Sequence, residues 1–362
     1  MTTTYGVISD MHGFDIRLLP ATIDLLKNLE VNSLVLEGDV CGERSGHNPR
    51  DYFATVLNIA GESGLETFVL PGGHDTVDIW EPAMDHFTKK YSNLICAIHN
   101  PKVENDDHHL VFLPGSDISP AHSAYRGYSI TDRDATGFYD TVIDNKKMTF
   151  WSTNMNDLKK LVTDPDKTIL FSHIPRRFNN ASLENAVDLA EFGVVQKDFY
   201  MDIIRYSDGT EQVKISPNKN KKIIFKPFAS VLNHIKDDPY LKDTILPVDL
   251  ASYIATNCDP KGEYIDLKKE NRGNEQLRLL LKELNIKKHI TGHFHESAGR
   301  ATDNDGNSVN SDTFVPELFY NASCMDRLMV GMVSVNGINV AYENINLREY
   351  FKPDVAPSNQ KK

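Results

Sequence analysis

The chain has 362 residues, 40% of them hydrophobic, which is enough for one large core or for two domains. Mean hydropathy is −0.40, and no apolar run approaches the roughly 20 residues of a spanning helix, so neither a membrane span nor a membrane partner is expected. Asp and Glu outnumber Lys and Arg by 51 to 39, a net charge of −12. That balance disfavours a general nucleic-acid binder but leaves phosphate chemistry open, because bound cations can supply positive charge locally.

The first third alternates strand and helix. Residues 5–9 (YGVIS) read as a strand and 16–29 as an amphipathic helix; 33–36 (SLVL) as a strand and 50–60 as a helix; 66–70 (ETFVL) as a strand and 77–90 as a helix. This rhythm predicts parallel strands joined by crossover helices. In such sheets ligands bind beyond the carboxyl ends of the strands, where Asp10, Asp39 and His74 stand. Further strands are expected over 109–113 (HLVFL), 148–151 (MTFW) and 168–172 (TILFS), the last running into His173-Ile-Pro175, where proline ends regular structure.

Residues from about 176 to 270 are less regular and read as an inserted, cap-like segment. Within it, 200–205 and 212–215 flank Ser207-Asp208-Gly209-Thr210, a hairpin signal, and the basic run 219–222 follows. Residues 274–284 (NEQLRLLLKEL) form an amphipathic helix, and 288–291 lead into the last motif. Residues 330–335 and 338–342 pair around Asn336-Gly337. The domain reading is one body over 1–350 with the insertion at 176–270, then a polar tail over 351–362 expected to be disordered. The start of the chain, Met-Thr-Thr-Thr, has no basic segment of a signal peptide. The four cysteines (Cys41, Cys96, Cys258, Cys324) are scattered. Together these predict reduced thiols in a cytoplasmic protein.

Five short motifs carry the chemistry: Asp10-Met-His12, Gly38-Asp39, Gly72-Gly73-His74-Asp75, Ser172-His173 and Gly292-His293-Phe294-His295. Each follows a predicted buried strand, so each presents Asp or His from a rigid edge. Singly, an Asp-x-His or a Gly-Asp means little; the set in this order predicts a metal centre. Carboxylate with imidazole suits Mn, Fe or Zn better than Ca or Mg. Asp10 and His12, two apart on a loop, can reach one ion. Asp39 can bridge two, His293 and His295 can face different ions, and His173 completes a second position.

These motifs resemble the calcineurin-like metallophosphoesterases from Tyr5 to about Glu296, with the stretch Leu277–Gly299 similar to the branch of small prokaryotic phosphoesterases related to cyclic-nucleotide phosphodiesterases. The resemblance implies an α/β fold, a four-layer α/β/β/α sandwich with two divalent metal ions at its edge. Asp10, His12 and His295 would hold one ion and His173 and His293 the other, with Asp39 bridging. His74 would be a general acid and not a ligand. Asp75 would orient the His74 imidazole, cap the following helix, or do both. The chain departs from the family at Gly73, where an Asn ligand is expected. A water or another side chain, such as Asn154 or Asn321, would have to fill that place. Arg176 and Arg177 either meet substrate phosphate or form a solvated surface pair.

The function expected is a metal-dependent phosphohydrolase acting on a nucleotide or other small phosphoester. A compact nuclease is the alternative within the class, and a degenerate scaffold that binds a partner is the alternative outside it. Neither substrate nor oligomeric state is written in the motifs.

Overall fold

The computed structural model describes residues 2–12, 14–41, 48–117, 127–143, 146–179, 185–196, 200–205, 211–218, 221–225, 245–247, 251–252, 254–256 and 264–351. The turn 207–210, Lys219, Cys258 and the tail from 352, all read above from the sequence, lie outside them. The chain divides into two compact units, the second formed chiefly by Ala190–Glu270 and the first by the remainder. The stretch read as one insertion over 176–270 is therefore split, with residues up to Leu189 belonging to the first unit.

The first unit opens with β1 (Thr3–Ile8), β2 (Ser33–Glu37), β3 (Glu66–Leu70) and β4 (Leu94–Cys96), linked by α1 (Leu19–Asn28), α2 (Pro49–Ser63) and α3 (Val77–Lys90). β5 (Lys102–Glu104), β6 (His109–Leu113), β7 (Tyr128–Thr131), β8 (Gly137–Ile143), β9 (Lys146–Asn154), α4 (Leu158–Leu161) and β10 (Thr168–Ser172) follow. The second unit contains, wholly or in all but one terminal residue, β11 (Leu189–Val195), β12 (Tyr200–Arg205), β13 (Glu211–Asn218), β14 (Lys221–Phe225), β15 (Ile245–Pro247) and β16 (Ile265–Asn271), in two three-stranded sheets ordered β15-β11-β16 and β12-β13-β14. The chain closes in the first unit with α5 (Glu275–Glu283), β17 (Lys288–Thr291), β18 (Ala301–Thr302), β19 (Leu318–Asn321), β20 (Met329–Asn336) and β21 (Asn339–Asn346).

Two six-stranded mixed sheets organise the first unit, ordered β21-β20-β1-β2-β3-β4 and β18-β19-β17-β10-β6-β5, with a smaller sheet β7-β9-β8 beside them. In the first, β1 to β4 are parallel, as the βα rhythm predicts, and β20 adds antiparallel to β1. In the second, β6, β10, β17 and β19 are parallel. Strand alternation sorts the core. Val7, Val35, Phe68 and Leu70 pack with Phe112, Phe171, Ile290 and Tyr320 of the other sheet, whereas Ile8, Leu34, Leu36 and Val69 pack under α1, α2 and α3. Val111 and Leu170, on the outer face of the second sheet, meet Leu277, Leu280 and Leu281 of α5. Strands buried on both faces read as continuous apolar runs, which is why periodicity located them.

Two local differences have plain causes. The helix expected from Ile16 begins as a 3-10 turn over Ile16–Leu18, capped by Asp15, and becomes α-helical at Leu19 with Pro20 in its first turn. The closing hairpin turns at Gly337, whose φ of 62° is the left-handed value a two-residue turn needs. Among the described residues, no helix is long and apolar enough to cross a membrane.

Candidate metal centre

The five motifs all leave carboxyl ends of parallel strands: Asp10 after β1, Asp39 after β2, His74 after β3, His173 after β10, and His293 and His295 after β17. The loops there are sharply bent. Asp10 (φ 52°), His12 (26°), Asp39 (53°) and His293 (73°) occupy left-handed backbone. Such conformations cost on the order of 1–3 kcal/mol each and persist only where the surroundings enforce them. Gly38 leaves room for the site. A Cβ there would lie 2.5 Å from His173 Nδ1 and 2.7 Å from its Cγ.

The imidazoles of His12, His173, His295 and His74 gather around the carboxylates of Asp10 and Asp39. Asp39 Oδ2 lies 3.0 Å from His173 Nε2, 3.4 Å from His12 Nε2 and 4.0 Å from His74 Nε2. Asp10 Oδ1 lies 3.2 Å from His295 Nε2, 3.6 Å from His12 Nε2 and 4.0 Å from His173 Nε2. The second oxygen of each carboxylate is held in place. Asp10 Oδ2 accepts from Ser9 Oγ (2.7 Å) and from the His293 amide (3.0 Å), and Asp39 Oδ1 accepts from the His74 amide (2.8 Å). Each aspartate therefore aims one oxygen at the imidazoles. The ligand atoms form compact groups, Asp10–His12–His295, His12–Asp39–His74 and Asp39–His173–His293, each with all atoms within 4.8 Å of one another.

These groups fit a cation. His173 Nδ1 lies 3.0 Å from the Glu37 carbonyl, which can only accept, so Nδ1 carries the proton. Its Nε2 is buried and makes no hydrogen bond, although Asp39 Oδ2 lies 3.0 Å away. Burial opposes ionisation of Asp10 and Asp39, yet the surrounding imidazoles hold both well below the usual carboxylate range. The same carboxylates lift His173 against its burial to about 10, while burial and the neighbouring His173 push His293 down to about 3. Two buried carboxylates thus demand positive charge, and His293 offers a neutral lone pair. Divalent cations satisfy both conditions.

Exposure is graded. Asp10, Asp39 and His173 are buried. The side chains of His12 and His295 are 14% and 21% exposed, and that of His74 is 29% exposed, at the mouth.

Asp75 stands elsewhere than expected. Its Oδ2 accepts the amides of Asp39 and Gly72 (both 2.8 Å), and its Oδ1 those of Val40 (3.0 Å) and Cys41 (2.8 Å). Four donors occupy the four lone-pair sites of a carboxylate, so the side chain is spent on locking the loops after β2 and β3 together. Nor does it cap α3, whose N-cap residue is Thr76. Arg176 is likewise corrected. It is buried, with its guanidinium 4.0 Å from the rings of both Phe178 and Phe319 and Nη2 bonded to the Asn304 carbonyl. Its charge is absorbed by two aromatic faces and the structure does not present it to a substrate. Arg177 is exposed.

Of the two asparagines considered for the Gly73 position, Asn154 has its amide oxygen engaged, whereas Asn321 Oδ1 is buried without a hydrogen-bond partner. Asn154 Oδ1 caps the turn at Met155–Asp157, and Asn321 Nδ2 holds the Phe294 carbonyl (2.9 Å) and Ser297 Oγ (3.1 Å).

Several residues around the centre were missed. Glu37 is fully buried, neither of its oxygens has a hydrogen-bond partner, and burial pushes its carboxyl well up. Its position at the end of a strand, one residue before Gly38-Asp39, was a readable signal. Cys324 and Asp326 group with His295 in a further cluster. They lie just beyond β19, a strand the sequence reading did not find.

No protein-family model and no curated protein matches the chain. A solved crystal structure is similar over 95% of this chain and 99% of its own, at 11% sequence identity and a TM-score of 0.49. A likeness of that size carries no argument about fold type or activity.

Proposed function

We propose that the chain is a metal-dependent phosphohydrolase of the calcineurin-like type, acting on a nucleotide or another small phosphodiester. The convergence of Asp10, His12, His173, His293 and His295 with Asp39, from the ends of parallel strands in two sheets, is the observation that carries this reading. The placement of the three hydrophobic clusters, under the helices, between the sheets and against α5, supports an α/β/β/α sandwich.

Asp10, His12 and His295 would hold one ion and His173 and His293 the other, with Asp39 shared. When bound, two divalent ions (Mn, Fe or Zn by donor type) supply a water activated at neutral pH and neutralise charge on the phosphoryl group. The chain's own residues do the rest. Ser9 Oγ and the amides of His74 and His293 fix the carboxylate oxygens, so the site is organised before substrate arrives. His74, the most exposed imidazole of the group, would give a proton from Nε2 to the departing oxygen. With Gly73 contributing no side chain, the His173–His293 position has fewer donors, and its ion is expected to bind more weakly. The loss is about 10–100-fold, judged from lesser losses around metal ligands.

The assay is turnover of nitrophenyl and alkyl phosphodiesters by Mn²⁺-loaded protein. Hydrolysis of both is expected, with His74→Ala slowing the alkyl ester more than the nitrophenyl ester, which leaves without a proton. Equal slowing would remove the acid role. No turnover of any phosphodiester by the loaded protein would favour the partner-binding scaffold, whose one support is Gly73.

A further inference from the structure

The segment after β19 docks on the end of β1. Ser9 N donates to Ser323 Oγ (3.0 Å), Ser9 Oγ donates to the Ser323 carbonyl (3.0 Å), Met325 N donates to the Ser9 carbonyl (3.0 Å) and Asp326 N to the Asp10 carbonyl (3.2 Å). Arg327 Nη1 donates to the carbonyl of His295 (2.9 Å). One short stretch of chain thus holds both the backbone that carries Asp10 and the backbone that carries His295.

Its side chains continue the arrangement. Asp326, 4% exposed, places Oδ1 3.5 Å from His295 Nδ1. The ring's other nitrogen, Nε2, is 3.2 Å from Asp10 Oδ1. The buried Cys324 thiol donates to the same Asp326 Oδ1 (2.9 Å) and limits the directions in which that carboxylate can turn. A histidine that ligates a metal through one nitrogen is commonly fixed by a carboxylate on the other.

We propose that Asp326 is a positioning residue: its carboxylate, steadied by the Cys324 thiol, holds His295 as the Nδ1–H tautomer so that Nε2 faces the ion shared with Asp10 and His12. The inference rests on the metal-centre reading above. Cys324 acts here as a thiol donor to Asp326 Oδ1 (2.9 Å) and not as a ligand.

The test uses the full chain. Mn²⁺ binding to wild type, Asp326→Ala and Asp326→Asn is followed by calorimetric titration, with thermal unfolding as the check on folding. Wild type is expected to show two classes of site. Asp326→Ala weakens one class by about 10–100-fold and leaves the other unchanged. Asp326→Asn, which keeps an acceptor oxygen, weakens the same class less; should the alanine variant fail to fold, this one decides. Unchanged affinity at both classes, or equal weakening of both, overturns the positioning role. A third ion that disappears in Cys324→Ala would make the cluster a ligand set and overturn it too. Wild type binding no ion sinks the metal centre itself, an outcome distinct from the others because it needs no variant.

Discussion

Gly38 has a backbone φ of 84°, and a Cβ on it would run into the His173 ring and, at 2.9 Å, the Cα of Gly72. Two costs therefore add in Gly38→Ala, left-handed strain of about 1–2 kcal/mol and overpacking of about 1–3 kcal/mol. Urea unfolding should show a loss of roughly 2–5 kcal/mol, and metal titration a weaker His173 position. A loss below about 0.5 kcal/mol would mean that the loop relaxes and that the close approach is not needed. Single residues were legible where chemistry and place coincide. Asp10, Asp39 and the histidines stand at strand ends in a fixed order, and it is the set, not any one residue, that suggests a metal centre. Arg176 misled because its charge suggests phosphate, and no sequence pattern shows a guanidinium between Phe178 and Phe319, which is 141 residues distant. Asp326 was invisible for the same reason: its partner His295 is near only once β17 and β19 pair.

At the scale of elements, the site depends on loops held to one another. Asp75 joins the loop after β2 to the loop after β3 through four amides. In Asp75→Asn only one oxygen remains to accept, and an NH₂ group faces backbone donors. The expected cost is about 2–4 kcal/mol of stability, with loss of metal affinity because Asp39 sits on the displaced loop. Unfolding curves with and without Mn²⁺ check it. Undiminished stability together with slow turnover of alkyl esters alone would return Asp75 to orienting His74. Strands such as Glu66–Leu70, His109–Leu113 and Thr168–Ser172 were readable to the residue, since burial on both faces leaves an unbroken apolar run. β4 and β19 were not, because three or four residues carry too little pattern and their neighbours in the sheet supply what they lack.

For the whole molecule, the α/β class and the parallel order of β1, β2 and β3 follow from alternating strands and helices. The pairing of β10 with β17, which brings His173 beside His293, joins segments more than a hundred residues apart and has no local signature. The sequence suggests an inserted, cap-like segment over about 176–270, and the second unit covers chiefly Ala190–Glu270 of it. The central claim is that the strand ends of the first unit build a dinuclear centre with one position weakened at Gly73. It is tested most directly by metal content per chain, by elemental mass spectrometry after re-equilibration with Mn²⁺, on wild type and Gly73→Asn. The account predicts one ion retained tightly and a second that dissociates readily from wild type, with the variant retaining both. No ion retained by wild type would contradict it.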